Sequence, residues 1–264
     1  MMYLKECLTD STNILIIGER YRNRENKGLE KKIFRKNFNH AEIIGEELCS
    51  VKNLSCPSFF LIVDSKDYNN RLVPYKLVKD KNLNIKLGAY DFREDGYIYF
   101  DIGSVFNRDS ETKFLKVLSM ASTLKNREEL KKEICELFAL DVYMGQVDRF
   151  SSNIMFSFNT KNGDIHLAPI YDFQYSLKSS YIDQNKIYDN HIYSFNDFCD
   201  FYNFILEYPE FRDMLKSYLD VDLVQVVRDG YRKKGLVVPS EKMEFYSSFD
   251  NRRKELIKRI VLLH

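Results

Sequence analysis

No charge excess, no cysteine pair and no long apolar run mark this chain. Forty Lys and Arg stand against 39 Asp and Glu, for a net charge of +1. That balance argues against direct nucleic-acid binding, which usually needs a strong basic excess. The local basic runs, such as Lys31-Lys32, Arg35-Lys36 and Arg232-Lys233-Lys234, read as solvated faces. The cysteines (Cys7, Cys49, Cys56, Cys135, Cys199) are odd in number and form no CxxC pair. Free thiols in a reducing, cytoplasmic compartment are the expectation. The four histidines (His40, His166, His191, His264) are scattered, so no clustered zinc ligands are evident. Met1 to Glu6 lacks a basic segment leading into an apolar one, and no run approaches the ~20 apolar residues of a membrane span. No membrane association is expected. Trp is absent, while Lys, Asn, Ile, Tyr and Phe are plentiful; that describes codon pressure more than function.

The 264 residues suffice for a large core, or for two lobes sharing a cleft. There is no internal repeat and no Pro/Gly/Ser linker, but the texture changes near residue 110. Before it, short strands are expected at Ile14–Ile17, Lys32–Lys36, Phe59–Val63, Leu72–Val78 and Tyr97–Phe100, the last after an Asp95-Gly96 turn. One helix interrupts them, from about His40 to Lys52. Asn39 is its expected N-cap and Glu42 stands at the capping-box offset. After residue 110, helices are expected from Thr112 to Leu124 and from Glu128 to Met144. A hairpin follows, with strands Ile154–Phe158 and Ile165–Leu167. From Phe195 onward come about four helical segments, broken at Pro209, Asp220 and Gly235 to Pro239. The expected fold class is α+β and two-lobed: residues 1–110 form a small strand-rich lobe with one helix, and residues 111–264 a larger, mainly helical one. The cleft between them is the expected ligand site.

The strongest chemical signal is Gly145-Gln146-Val147-Asp148-Arg149-Phe150-Ser151-Ser152-Asn153-Ile154-Met155-Phe156, followed by Ala168-Pro169-Ile170-Tyr171-Asp172-Phe173. Asp148 falls in a loop after a long apolar helix, where a carboxylate accepts a hydrogen bond, and then a proton, from an incoming hydroxyl. Asn153 opens a strand; its amide oxygen is a hard, neutral ligand suited to Mg²⁺. Asp172 leaves a buried strand, which is costly for a carboxylate without a cation beside it. Each has a plain alternative as a turn or strand-initiating residue. Together they reproduce the acid, amide and acid spacing of phosphoryl-transfer enzymes that hold a nucleotide triphosphate and metal ions.

The segment from Met144 to Leu177 resembles the catalytic core of HipA-like bacterial serine/threonine kinases, members of the protein-kinase-like superfamily. Its Asp-Arg-x-x-x-Asn-Ile-Met piece is also similar to phosphatidylinositol 3- and 4-kinases. The close match covers about 35 residues. The resemblance implies a two-lobed kinase-like fold, ATP and Mg²⁺ as cofactors, Asp148 as catalytic base, and Asn153 and Asp172 as metal ligands. It implies a strand Lys that reaches the phosphates and pairs with a helical Glu. Lys36 is favoured for the first, with Lys32 on the same face. Glu42 holds the matching helix position, and Glu46 is the alternative one turn on. A Gly-rich loop is not evident; the polar stretch between Gly18 and Gly28 could cover phosphates through backbone N–H groups.

The resemblance further implies phosphoryl transfer to a protein serine or threonine, a translation factor among the candidate substrates. It also implies autophosphorylation, with Ser11, Thr12, Ser151 and Ser152 as loop candidates. Such kinases often serve as toxins of toxin–antitoxin systems, so a separately encoded antitoxin partner is expected. One residue departs from the pattern. Phe150 stands where the family usually has His, two positions after the catalytic Asp. That departure motivates a second reading, a kinase-fold binding protein without turnover (a pseudokinase). A third keeps the enzyme but makes the acceptor a lipid or small molecule.

Overall fold

The computed structural model describes residues 14–15, 20–21, 31–32, 40–64, 84–90, 92, 94–101, 124–146, 149, 153–178, 198–238 and 240–262. Its strands are β1 (Ile14–Leu15), β2 (Arg20–Tyr21), β3 (Lys31–Lys32), β4 (Phe59–Asp64), β5 (Asn84–Tyr90), β6 (Tyr97–Asp101), β7 (Met155–Asn159) and β8 (Ile165–Leu167). Its α-helices are α1 (His40–Val51), α2 (Arg127–Met144), α3 (Phe198–Glu207), α4 (Pro209–Lys216), α5 (Leu223–Lys233) and α6 (Ser240–Val261). A 3₁₀ turn, Ser217–Asp220, joins α4 to α5. The architecture is α+β: small antiparallel sheets and a mostly helical remainder.

β5 is the centre of one sheet, flanked by β1 and β4, with Phe59 opposite Ala89 and Asp64 opposite Asn84. It goes beyond the strands expected from sequence. Ile85, Leu87 and Ala89 do alternate with Asn84, Lys86 and Gly88, but an interior Gly weakens a strand signal. β2 and β3 form a separate hairpin. β6, β7 and β8 form the third sheet, with Tyr97 opposite Asn159 and Phe156 opposite Leu167. This ladder joins residues on either side of position 110. The expected strand at 72–78 lies outside the described residues, as does the helix expected from Thr112, apart from Leu124.

α2 is the axis of the helical part. Its apolar face buries Leu130, Ile134, Leu137, Phe138 and Tyr143. Phe138 stacks on Phe211 of α4 with ring centroids 4.6 Å apart, a geometry favoured beyond area burial alone. At its start, Asn126 does not cap the helix. Its side chain instead donates to the Ile165 carbonyl at 2.7 Å and accepts from Ile165 N–H at 3.3 Å. Two turns on, Glu133 accepts from Leu167 N–H at 2.6 Å and contacts His166 Nδ1 at 2.9 Å. Both side chains lie on one helix face and stitch it to β8. Glu129 lies close to Glu133 and His166, but both Glu133 oxygens already serve this seam.

The end of α2 is a Schellman motif. Gly145 has φ 63°, its N–H donates to Val142 O at 3.3 Å, and Gln146 N–H donates to Asp141 O at 2.9 Å. Arg253 of α6, buried, donates to the carbonyls of Val142 and Tyr143. A cation at a helix C-terminus complements the dipole by up to ~2 kcal/mol when partly buried.

α5 and α6 hold α1. Lys234 pairs with Glu46 at 2.7 Å and donates to the Phe59 carbonyl at 2.6 Å, while Lys233 pairs with Glu47 at 2.6 Å. Tyr231 stacks on His40 with planes 1° apart. Lys242 donates to His40 Nε2, so Nδ1 carries the imidazole proton and donates to the Tyr231 hydroxyl. A Cβ on Gly230 would stand 3.2 Å from the Ile43 carbonyl and from Glu47 Cβ, so the two helices meet closely at that glycine. Among the described residues, no helix is long and apolar enough to cross a membrane.

Candidate active site

Three segments converge below α1. The first is the end of α2, with Gln146 and Arg149. The second enters β7 through Asn153. The third leaves β8 as Ala168 to Leu177. β7 and β8 are antiparallel and Ala168 N–H donates to Met155 O at 2.8 Å. Asn153 and Asp172 therefore lie beyond the same end of the hairpin. Both are half-buried. The third segment is tied on both flanks: Ile170 N–H donates to Ser55 O at 2.8 Å, and Leu177 N–H to Met144 O at 2.9 Å.

Asp172 has φ 65°, a left-handed conformation that costs an L-residue about 1–2 kcal/mol. Asp tolerates it better than most, and neighbouring side chains hold it. Gln146 Nε2 donates to the Asp172 carbonyl at 2.7 Å. Arg149 Nη1 donates to the Tyr171 carbonyl and lies 3.5 Å from that of Asp172. Arg149 has no exposed surface and grips Asp141 of α2 through Nε (3.0 Å) and Nη2 (2.7 Å). Such a bidentate fork fixes the guanidinium plane. Tyr171 and Phe173, on either side of Asp172, are buried. Burial pushes the Tyr171 hydroxyl pKa up, Asp172 adding to the effect and Arg149 opposing it. Arg149 also lies over the Phe173 ring, 5.6 Å from its centroid.

Glu42 of α1 faces this turn with no exposed surface. Among the described residues, neither of its carboxylate oxygens has a hydrogen-bond partner. Asn39, the cap residue expected to pair with it, lies outside the described residues. The carboxyl is held well above the ordinary carboxylate range, first by burial and then by the charge of Asp172. The backbone N–H groups of Phe173 and Gln174 and the Arg149 guanidinium pull the other way, without completing a hydrogen bond to it.

Of the residues expected from sequence, Glu42 and Asp172 are brought together, and Asn153 lies two residues before β7, beyond the end of the hairpin that Asp172 leaves. Glu46 turns instead toward Lys234, the residue that follows α5. Lys32 lies in β3, its strand opposite Arg20. Lys36, Asp148 and Phe150 lie outside the described residues. Sequence reasoning did not single out Gln146, Asp141 or the role of Arg149. A signal existed: Asp141 sits on an otherwise apolar helical run, and a carboxylate there needs a buried cation.

A magnesium ion fits this donor set. Asp172 and Asn153 would supply hard oxygen ligands, and the Glu42 oxygens beside Asp172 have no hydrogen-bond partner among the described residues. A lysine from the strand-rich part would supply one.

No protein-family model and no curated protein matches the sequence. Solved structures do match. HipA of Shewanella oneidensis MR-1, in its toxin–antitoxin complex with HipB and operator DNA, superposes with a TM-score of 0.57 at 12% identity. The match covers 83% of this chain and 55% of HipA, so the chain spans little more than half of HipA's length. CtkA, a proinflammatory kinase of Helicobacter pylori, gives a TM-score of 0.57 at 16% identity, over 85% of this chain and 86% of CtkA. At such identities the likeness is one of fold. The chain has a protein-kinase-like fold of the HipA-like kind.

Proposed function

We propose that this chain is an ATP- and Mg²⁺-dependent kinase that phosphorylates a serine or threonine of a protein. The observation that carries the reading is the meeting of Glu42 and Asp172 at a turn held by the residues flanking Asp148 in sequence, within a kinase-like fold. Asp148 would accept the hydrogen bond, and then the proton, of the acceptor hydroxyl. Asn153 and Asp172 would hold the metal. Mg²⁺, when bound, neutralises charge on the β- and γ-phosphates. Lys36, or Lys32, would reach the phosphates and meet Glu42. The chain's own contribution is placement: a buried, hydrogen-bonded frame orients the acceptor and the donor phosphate before reaction.

HipA is seen with HipB and operator DNA. By analogy the chain would act as a toxin, with a separately encoded antitoxin as partner and a translation factor as substrate. The test is phosphate transfer from labelled ATP with Mg²⁺. Wild type should label itself or a protein acceptor, and Asp148→Asn should lose at least ~100-fold in rate. Equal rates would remove the assignment. Nucleotide-dependent stabilisation without any transfer would favour the pseudokinase reading that Phe150 motivates.

A further inference from the structure

We infer that Gln146 and Arg149 are positioning residues that aim the Asp172 carboxylate at the metal. The inference rests on the phosphoryl-transfer reading and adds the residues that preform its metal site.

Asp172 adopts a left-handed backbone conformation, φ 65°, which needs restraint from its surroundings. Gln146 donates to its carbonyl at 2.7 Å, and Arg149 holds the carbonyl just before it. Both donors are anchored at the end of α2. The Gln146 N–H is bonded to Asp141 O at 2.9 Å, and the Arg149 guanidinium to the Asp141 carboxylate at 2.7 and 3.0 Å. One residue, Asp141, thus immobilises both donors, through its backbone and its side chain. Fixing the peptide planes on either side of Cα fixes the direction of Cα–Cβ, and so confines the carboxylate to the positions that its two side-chain torsions can reach. Phe173 completes the frame, its ring packed against Gly45 of α1 and under Arg149. Gln146 and Arg149 are buried at 3% and 0% exposure. Supporting groups of this kind govern metal affinity without touching the metal.

The test measures ATP affinity by calorimetry as a function of Mg²⁺, with thermal unfolding as a control, on the full chain. Gln146→Met keeps the side-chain length and removes the donor. It should raise the Mg²⁺ concentration for half-maximal nucleotide binding about tenfold, leaving metal-free ATP affinity unchanged. Arg149→Lys keeps the charge but loses the fork, and should shift the Mg²⁺ requirement in the same direction. If Gln146→Met is folded and shows the wild-type Mg²⁺ dependence, the inference is wrong while the kinase reading stands. If it weakens metal-free and metal-bound nucleotide equally, the role is merely structural and the inference is also wrong. If wild type itself shows no Mg²⁺-dependent ATP binding, both readings fall.

Discussion

The ring of Phe173 occupies the space where a side chain on Gly45 would begin. A Cβ built on Gly45 would lie 2.4 Å from Phe173 Cδ2 and 2.5 Å from Cγ, closer than non-bonded carbons approach. Helix α1 therefore meets the Asp172 turn backbone against ring, and the absence of a methyl group permits it. Gly45→Ala forces Phe173 or α1 to move. Overpacking costs about 1–3 kcal/mol, against a gain of about 1 kcal/mol from replacing a helical Gly by Ala. The expected result is a net loss of stability in urea unfolding, together with weaker nucleotide binding. Gly230→Ala, where the nearest atoms stand at 3.2 Å, should cost less.

The Asp141–Arg149 pair is fully desolvated, with side chains 1% and 0% exposed. Removing one partner leaves a buried charge alone. Asp141→Ala is expected to cost about 3–5 kcal/mol. The double variant Asp141→Ala/Arg149→Met should cost less than the sum of the two single variants, because no uncompensated charge remains. Denaturant unfolding of the four proteins in the cycle measures this directly.

His40 makes stability pH-dependent. Burial and then the charge of Lys242 lower its pKa from 6.5 to about 4. Between those values the unfolded chain binds more protons than the folded one, so stability rises with pH across that window. The contribution is complete above 6.5 and is lost as pH falls toward about 4. Unfolding followed from pH 7 down to pH 5 should show this loss, and His40→Gln should flatten it.

The described cysteines, Cys49, Cys56 and Cys135, are free thiols. Burial pushes the Cys135 thiol up to about 12, with Glu210 and Glu136 adding to it. Burial likewise raises Cys56, next to Cys49. The thiolate is the reactive form, so iodoacetamide at pH 8 should label these positions slowly in the native protein and quickly in denaturant. Mass spectrometry assigns the sites. Equal native and denatured rates at Cys135 would contradict the packing around α2.

Much of this was legible in the sequence for identifiable reasons. α2 carries a strong apolar period and ends at Gly145. α4 begins with Pro209 in its first turn, where the missing N–H costs nothing. The β7–β8 hairpin follows from its Asn-Gly turn, and Gly163 has φ 80°. Tertiary packing hid other features. β5 shows only weak alternation because Gly88 interrupts it. The spacing of Glu42 does not show that its carboxylate is turned inward to the Asp172 turn. Glu46 looked free to meet a lysine of the strands, yet Lys234, 188 positions later, takes it. The Gln146 and Arg149 grip on residues 171–172 joins segments that spacing rules do not relate. Local chemistry reads well from sequence; long-range polar partners need coordinates.

The central claim is that Asp148, Asn153 and Asp172 gather around a metal-bound triphosphate. The most direct measurement is a crystal structure with Mn²⁺ and a non-hydrolysable ATP analogue, the ion located by its anomalous scattering. The account predicts an ion bound by the Asn153 amide oxygen and the Asp172 carboxylate, with the Asp148 carboxylate facing the γ-phosphate. An ion and nucleotide bound elsewhere, with these three side chains pointing apart, would contradict it.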